Sequence, residues 1–202
     1  MNRRNLFAGA WIAGIALASP ALSAQAADVA ALKEKVKDKI TLCAGCHGEN
    51  GISQMENTPS LAGQPDLFFQ WQLVFFRSGA RKNEIMGPIA ETLSNEDVRN
   101  LGAYYAALPP PPAKSGDTAD GLAAKGKQAA AGRRCASCHT DSYAGTKATA
   151  RIAGQREDYL IKALHDYKSG ARSGGGMAAM ADVAYPLSDE EIAALAHYIA
   201  GL

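Results

Sequence analysis

Cys43-Ala44-Gly45-Cys46-His47 recurs in the chain as Cys135-Ala136-Ser137-Cys138-His139. On a helical turn, residues three and four apart share a face, so each run brings two thiols and an imidazole to one side of a single flat group. This is the attachment pattern of a c-type haem, in which the thiols add to the two porphyrin vinyls and the histidine binds iron. Two complete copies predict two covalently bound haem c groups, held by Cys43 and Cys46 and by Cys135 and Cys138, with His47 and His139 on the irons. The C-x-x-C pair alone also serves structural zinc and redox dithiols. A shared zinc site would have to gather Cys43, Cys46, Cys135 and Cys138 and leave both histidines without a role. A dithiol would sit in a strand-helix-strand pattern, and the sequence shows none. All four cysteines of the chain belong to the two motifs, which leaves no thiol for a disulfide framework or a catalytic nucleophile.

The opposite face of each iron decides between electron transfer and chemistry on a bound ligand, because a methionine thioether closes the iron and raises its potential. Met86 lies seven residues before Leu93, and Met180 lies seven residues before Leu187. Both leucines are repeat landmarks, so Met86 and Met180 are the expected axial ligands. Met177 is the alternative to Met180, since it reproduces the five-residue interval from Arg172 that separates Arg81 from Met86. The count back from the Ser188 cap favours Met180, because Gly174 to Gly176 can absorb an insertion. Met55 has no counterpart in the second half and reads as packing material.

The elements that must hold these residues come in two sets. Residues 1–26 read as a cleaved signal peptide, with Arg3 and Arg4 ahead of an apolar stretch from Leu6 to Ala18 and a small-residue end at Ala24-Gln25-Ala26. Thirteen apolar residues are short for a membrane span, so the expectation is a soluble, periplasmic protein. Residues 109–116, with four consecutive prolines, form a stiff linker between an N-terminal domain at 27–108 and a C-terminal domain at 117–202. The two sides match: Leu61-Ala62-Gly63-Gln64 recurs as Ile152-Ala153-Gly154-Gln155 and Ser78-Gly79-Ala80-Arg81 as Ser169-Gly170-Ala171-Arg172, each 91 residues on. Residues 27–112 carry eight Lys and Arg against ten Asp and Glu, and residues 113–202 eleven against ten. That balance gives no basic footprint for nucleic acid.

Helical spacing dominates. Val29, Leu32, Val36 and Ile40 lead into Cys43, and a second helix is expected from about Pro65 to Ser78, with Gly79 suited to its stop. Its Leu67, Phe68, Trp71, Val74 and Phe75 read as one apolar face. The last helix of each unit opens on Ser94-x-x-Asp97 or Ser188-x-x-Glu191, a capping pattern. No segment alternates with period two, so the fold class is all-α.

The set CAGCHGENG, PSLAGQ, the aromatic helix, RSGAR, Met86 and a Leu-Ser-capped helix with Tyr104 resembles a class I cytochrome c domain. Two such domains in tandem resemble the di-haem periplasmic cytochrome c4 family over essentially the whole mature chain. The resemblance implies two His/Met haems in similar helical domains about a pseudo-twofold axis. It also implies electron exchange with redox protein partners such as membrane respiratory complexes and terminal oxidases, with no small-molecule substrate. A di-haem subunit of a dehydrogenase or oxidase complex is the alternative, and a di-haem peroxidase a further one. In the family a carbonyl near the residue equivalent to Pro59 accepts from the haem histidine; the second unit has Ala150 there. Arg81 and Arg172 are read either as partners of haem propionates or as helix-end cations. His165 and His197 have no repeat counterparts and read as surface or packing residues.

Overall fold

Capping chemistry closes both halves of the chain in the same way. The Ser94 hydroxyl accepts from the Asp97 N–H at 3.0 Å while the Asp97 carboxylate accepts from the Ser94 N–H at 2.8 Å. Ser188 and Glu191 repeat the exchange at 3.2 and 3.0 Å. Each box satisfies two backbone groups that a helix start leaves open.

The structure is a computed structural model that describes residues 20–113, 121–172 and 178–202. Its first half contains α1 (Pro20–Lys35), α2 (Lys37–His47), α3 (Asp66–Arg77), α4 (Met86–Glu91) and α5 (Asn95–Ala107). The second contains α6 (Leu122–Gly132), α7 (Ala136–His139), α8 (Glu157–Lys168), α9 (Ala178–Ala184) and α10 (Asp189–Ala200). No strand forms among the described residues; an isolated bridge pairs Thr146 with Thr149. No helix among them is long and apolar enough to cross a membrane. The leader expected at 1–26 falls outside the described residues up to position 19, as do Met177, Gly174 to Gly176 and the end of the linker.

Each half buries its own core. Val36, Ile40, Phe69, Leu73, Leu93, Val98, Leu101, Tyr104 and Tyr105 form the first, where Phe69 stacks on Tyr105 at 5.1 Å. Ala130, Tyr143, Tyr167, Ala184, Leu187, Ile192 and Leu195 stand in the second. Helices α6 and α10 cross without a spacer, since a Cβ on Gly126 would lie 2.0 Å from the Ala194 carbonyl oxygen.

Two details differ from the sequence expectation. The run into Cys43 is two helices, because Val36 leaves helical geometry (φ −126°, ψ 22°) and turns into the core. In α3 the buried stripe is Phe69, Gln72, Leu73 and Phe76, whereas Leu67 and Trp71 stay exposed. A helix that is apolar nearly all round gives no phase from periodicity alone. Phe75 packs on the second core instead of its own, and the chain leaves α3 and α8 through left-handed Gly79 and Gly170 (φ 74° and 77°).

Candidate functional site

The six motif residues sit where the helical-turn argument puts them. Cys43, Cys46 and His47 lie on the last turns of α2, and Cys135 to His139 form the short turn of α7. None of the four cysteines is in a disulfide, and Cys138 is exposed while the others are half-buried. Burial pushes the Cys43 and Cys135 thiols up, the opposite of what an activated dithiol needs. Among the described residues, no group of three or more His, Cys, Asp or Glu side chains is arranged to hold a metal ion.

Both histidines are buried, and each donates Nδ1–H to a loop carbonyl. His47 reaches the Pro59 oxygen at 2.8 Å and His139 the Ala150 oxygen at 2.8 Å. The acceptor is a carbonyl in both cases, so Nδ1 must carry the proton and Nε2 presents a lone pair. Burial lowers both imidazole pKa values and the carbonyl contacts work the other way; the neutral, metal-binding form is the one favoured. Alanine at position 150 keeps the carbonyl where proline keeps it in the first unit.

The methionines complete the pattern by placement. Met86 opens α4, its N–H donating to Asn83 Oδ1 at 2.8 Å, and packs partly buried on the same core as Cys43. Met180 lies on α9 and packs on the same core as Cys135. Each core therefore touches one motif cysteine and one methionine, each on a short helix where the sequence suggested a loop. The Tyr105 hydroxyl is buried against the Cys43 thiol, with no other hydrogen-bond partner among the described residues. A motif thiol and a thioether on one core, with the buried imidazole of the same motif, fit a haem in each half; in the first half the buried Tyr105 hydroxyl stands beside Cys43 as well. Met55 is exposed.

Sequence reading missed how the halves meet. Gln64 and Gln155, equivalent by the repeat, clasp opposite domains: Gln64 Nε2 donates to the Arg151 carbonyl at 2.8 Å and its Oε1 accepts from the Arg151 N–H at 3.1 Å. Gln155 does the same to Ser60 at 2.9 and 2.8 Å. Residues 60 and 151 are also repeat equivalents, so the seam has the pseudo-twofold relation implied by the resemblance. The tetraproline run lies along it, with Pro110 over Gly63 and Pro111 beside Gly154, where a Cβ would stand 2.7 and 3.1 Å away. The signal available in the sequence was the repeated glutamine, which served there only as a landmark.

Arg81 and Arg172 meet at the same seam. Arg81 donates to Gln72 Oε1 at 2.7 Å and to the Tyr159 hydroxyl oxygen at 3.1 Å. Arg172 donates to the same two atoms at 2.9 and 3.4 Å. Their guanidinium carbons stand 4.4 Å from the Phe76 ring centre and 4.5 Å from the Tyr167 ring centre, a cation–π pair repeated in each half. Enclosure of the Tyr159 hydroxyl opposes its ionisation, yet the two guanidiniums outweigh that and bring it down to about 8. His197, on α10, faces the Glu157 carboxylate at 3.2 Å, and His165 is exposed.

Comparison with known proteins adds four likenesses. The cytochrome c family model matches residues 123–202. The thiosulfate dehydrogenase electron acceptor of Stutzerimonas stutzeri (strain A1501) is 32% identical, covering 95% of this chain and 94% of that one. Cytochrome c4 of Azotobacter vinelandii is 32% identical over 81% of this chain and 86% of its own length. Among solved structures, reduced recombinant cytochrome c4 from Pseudomonas stutzeri superposes with a TM-score of 0.75 at 30% identity, covering 84% of this chain and 97% of that one.

Proposed function

The chain belongs to the cytochrome c4 family of di-haem electron-transfer proteins with covalently bound haem c, and from that premise we propose that it shuttles single electrons in the periplasm between respiratory complexes and terminal oxidases. The observation that carries the reading is the matched pair of buried histidines, each fixed through Nδ1, each on a domain whose core also holds a methionine. Cys43 and Cys46 anchor one haem and Cys135 and Cys138 the other. His47 with Met86, and His139 with Met180, would hold the two irons. The domains run from 27 to 108 and from 117 to 202, with the linker at 109–116 and a cleaved leader at 1–26.

When bound, haem supplies reversible one-electron iron chemistry. The protein's own part is positional. The Pro59 and Ala150 carbonyls hold each imidazole in one tautomer and orientation, the cores exclude water, and the Met86 and Met180 thioethers would supply the second iron ligands. Bound haem would supply electron exchange with a docked protein, the chain's own residues would only hold the group, and no substrate would be turned over. The name of the Stutzerimonas stutzeri relative favours a second reading, in which a dehydrogenase in the same compartment is the donor.

A pyridine haemochrome assay against protein mass should return two haems per chain. Cys43→Ala and Cys138→Ala should each damage one attachment, and reduced intact protein should bind carbon monoxide slowly at neutral pH. One haem per chain, or fast stoichiometric carbon monoxide binding at one centre, defeats the proposal.

The methionine choice has its own measurement. Met180→Ala should abolish the sulfur-to-iron charge-transfer band of the C-terminal haem, and Met177→Ala should leave it intact. The reverse pattern transfers the ligand role to Met177.

A further inference from the structure

The glutamine clasps are reciprocal, but apolar packing across the seam runs one way. Phe75 of α3 is half-buried and packs on the second core, on which Cys135 and Met180 also pack. Among the described residues, the apolar side chains packed on the first core all come from the first half. The equivalent of Phe75 in α8 is Asp166. The Arg81 N–H donates to the Phe75 carbonyl at 3.0 Å and the Arg172 N–H to the Asp166 carbonyl at 2.9 Å, so the two helices end on the same turn in the same register.

The residue one turn earlier differs in the same sense. Trp71 stacks on Phe75, with ring centres 5.5 Å apart and planes at 25°. The equivalent pair in α8 is Lys162 and Asp166, which form an ion pair. Either pair, four residues apart, suits a helix surface, so helix formation alone does not call for two aromatic rings. An ion pair is at ease in water, whereas rings gain by covering apolar surface. Trp71, 44% exposed, is the outer ring of the stack and Phe75 the inner one. Helix α3 is fixed against the second half just ahead of them: the Phe68 N–H donates to the Lys147 carbonyl at 2.9 Å, and Gln72 Oε1 accepts from Arg172 at 2.9 Å.

We propose that Phe75, braced by Trp71, is a positioning residue for the C-terminal haem site supplied by the N-terminal half, so that the C-terminal centre depends on the docked halves in a way the N-terminal centre does not. This deepens the electron-transfer reading and rests on it. The apolar shell around a redox centre sets its access to water and its local dielectric, and drier surroundings disfavour the extra charge of the oxidised state. Phe75 adds to that shell from across the seam, through the core shared by Cys135 and Met180, and Trp71 covers its outer side. The first core has cover only from its own half. The same α3 that carries Leu73 into the first core therefore also serves the second.

The test is a potentiometric titration of Phe75→Ala holoprotein, with haem count and carbon monoxide binding measured on the same sample. The centre that Cys43→Ala damages is the N-terminal one, which assigns the other. In Phe75→Ala the C-terminal potential should fall, with the balance between reduced and oxidised iron shifting on the order of tenfold, or about 59 mV for one electron. Carbon monoxide should bind faster at that centre, and the N-terminal potential should stay where it is. Phe75→Leu, which keeps an apolar side chain at the seam, should recover most of the difference, and Trp71→Ala should lower the C-terminal potential by less. Asp166→Ala, at the equivalent position, should leave the N-terminal potential unmoved. If Phe75→Ala retains only the N-terminal haem, the one-way dependence is upheld, and Phe75→Leu and Trp71→Ala supply the potentials. An unchanged C-terminal potential with two haems bound refutes the inference and leaves the di-haem reading untouched. Equal falls at both centres refute it too, since they would mark a general loosening. A single haem in the wild-type chain would remove the electron-transfer reading and the inference with it, a failure that the haem count alone tells apart.

Discussion

Replacing Met86 with alanine should lower the potential of the N-terminal haem by on the order of a few hundred millivolts and leave the C-terminal haem where it is. Axial ligands move haem potentials over about 0.8 V, and a thioether sits at the high end because it favours the reduced iron. Alanine leaves water or no ligand in its place. The effect stays local because Met86 packs on the first core and Met180 on the second. The Asn83 side chain also accepts from the N–H groups of both Ile85 and Met86, at 3.0 and 2.8 Å, so the turn that presents position 86 survives the loss of its side chain. Potentiometric titration followed in the Soret region resolves the two centres, and rapid carbon monoxide binding at one of them in the variant gives an independent reading. An unchanged potential would remove Met86 from the iron.

Gly126→Ala should be the most damaging single methyl group in the C-terminal half. The added Cβ would fall 2.0 Å from the Ala194 carbonyl oxygen and 2.6 Å from Tyr198 Cβ, and neither the α10 backbone nor the root of a side chain can step aside cheaply. Overpacking of this kind costs about 3 kcal/mol or more, which for a domain of this size lowers the melting temperature by roughly 12 °C or more. Helix α6 leads directly into Cys135, so haem attachment at the second motif should drop with it. Gly132→Ala, on the same helix with nothing near its added Cβ, is the control and should be neutral or stabilising by up to about 1 kcal/mol. Thermal unfolding followed by Soret circular dichroism compares the two. Equal melting temperatures would mean that α6 and α10 do not cross this closely.

Local chemistry was legible in the sequence and long-range geometry was not. The C-x-x-C-H runs, the serine caps and the exits at Gly79 and Gly170 depend on residues within a turn or two of each other, and the structure places them as expected. Helix α3 defeated periodicity because its polar residues are too few to mark an outer face. Gln72 is buried in it, and Trp71 is not. The roles of Arg81 and Arg172 depend on Tyr159, 78 residues from Arg81, and on a helix pairing that no local pattern encodes. Both sequence alternatives treated the two arginines separately. The structure shows them converging on the same two oxygen atoms.

The glutamine clasps have a consequence for how the two halves can diverge. Gln64 and Gln155 bind main-chain N–H and C=O groups of positions 151 and 60 and leave the side chains there uninvolved in the clasp. Serine occupies one of those positions and arginine the other, with no change in the pairing. Attachment through the peptide backbone is blind to residue type, so the two copies of a duplicated gene can drift apart at the seam without coming undone. Each half is thereby free to change its own residues, as the Phe68 and Tyr159 positions already have, while the distance and angle between them stay inherited.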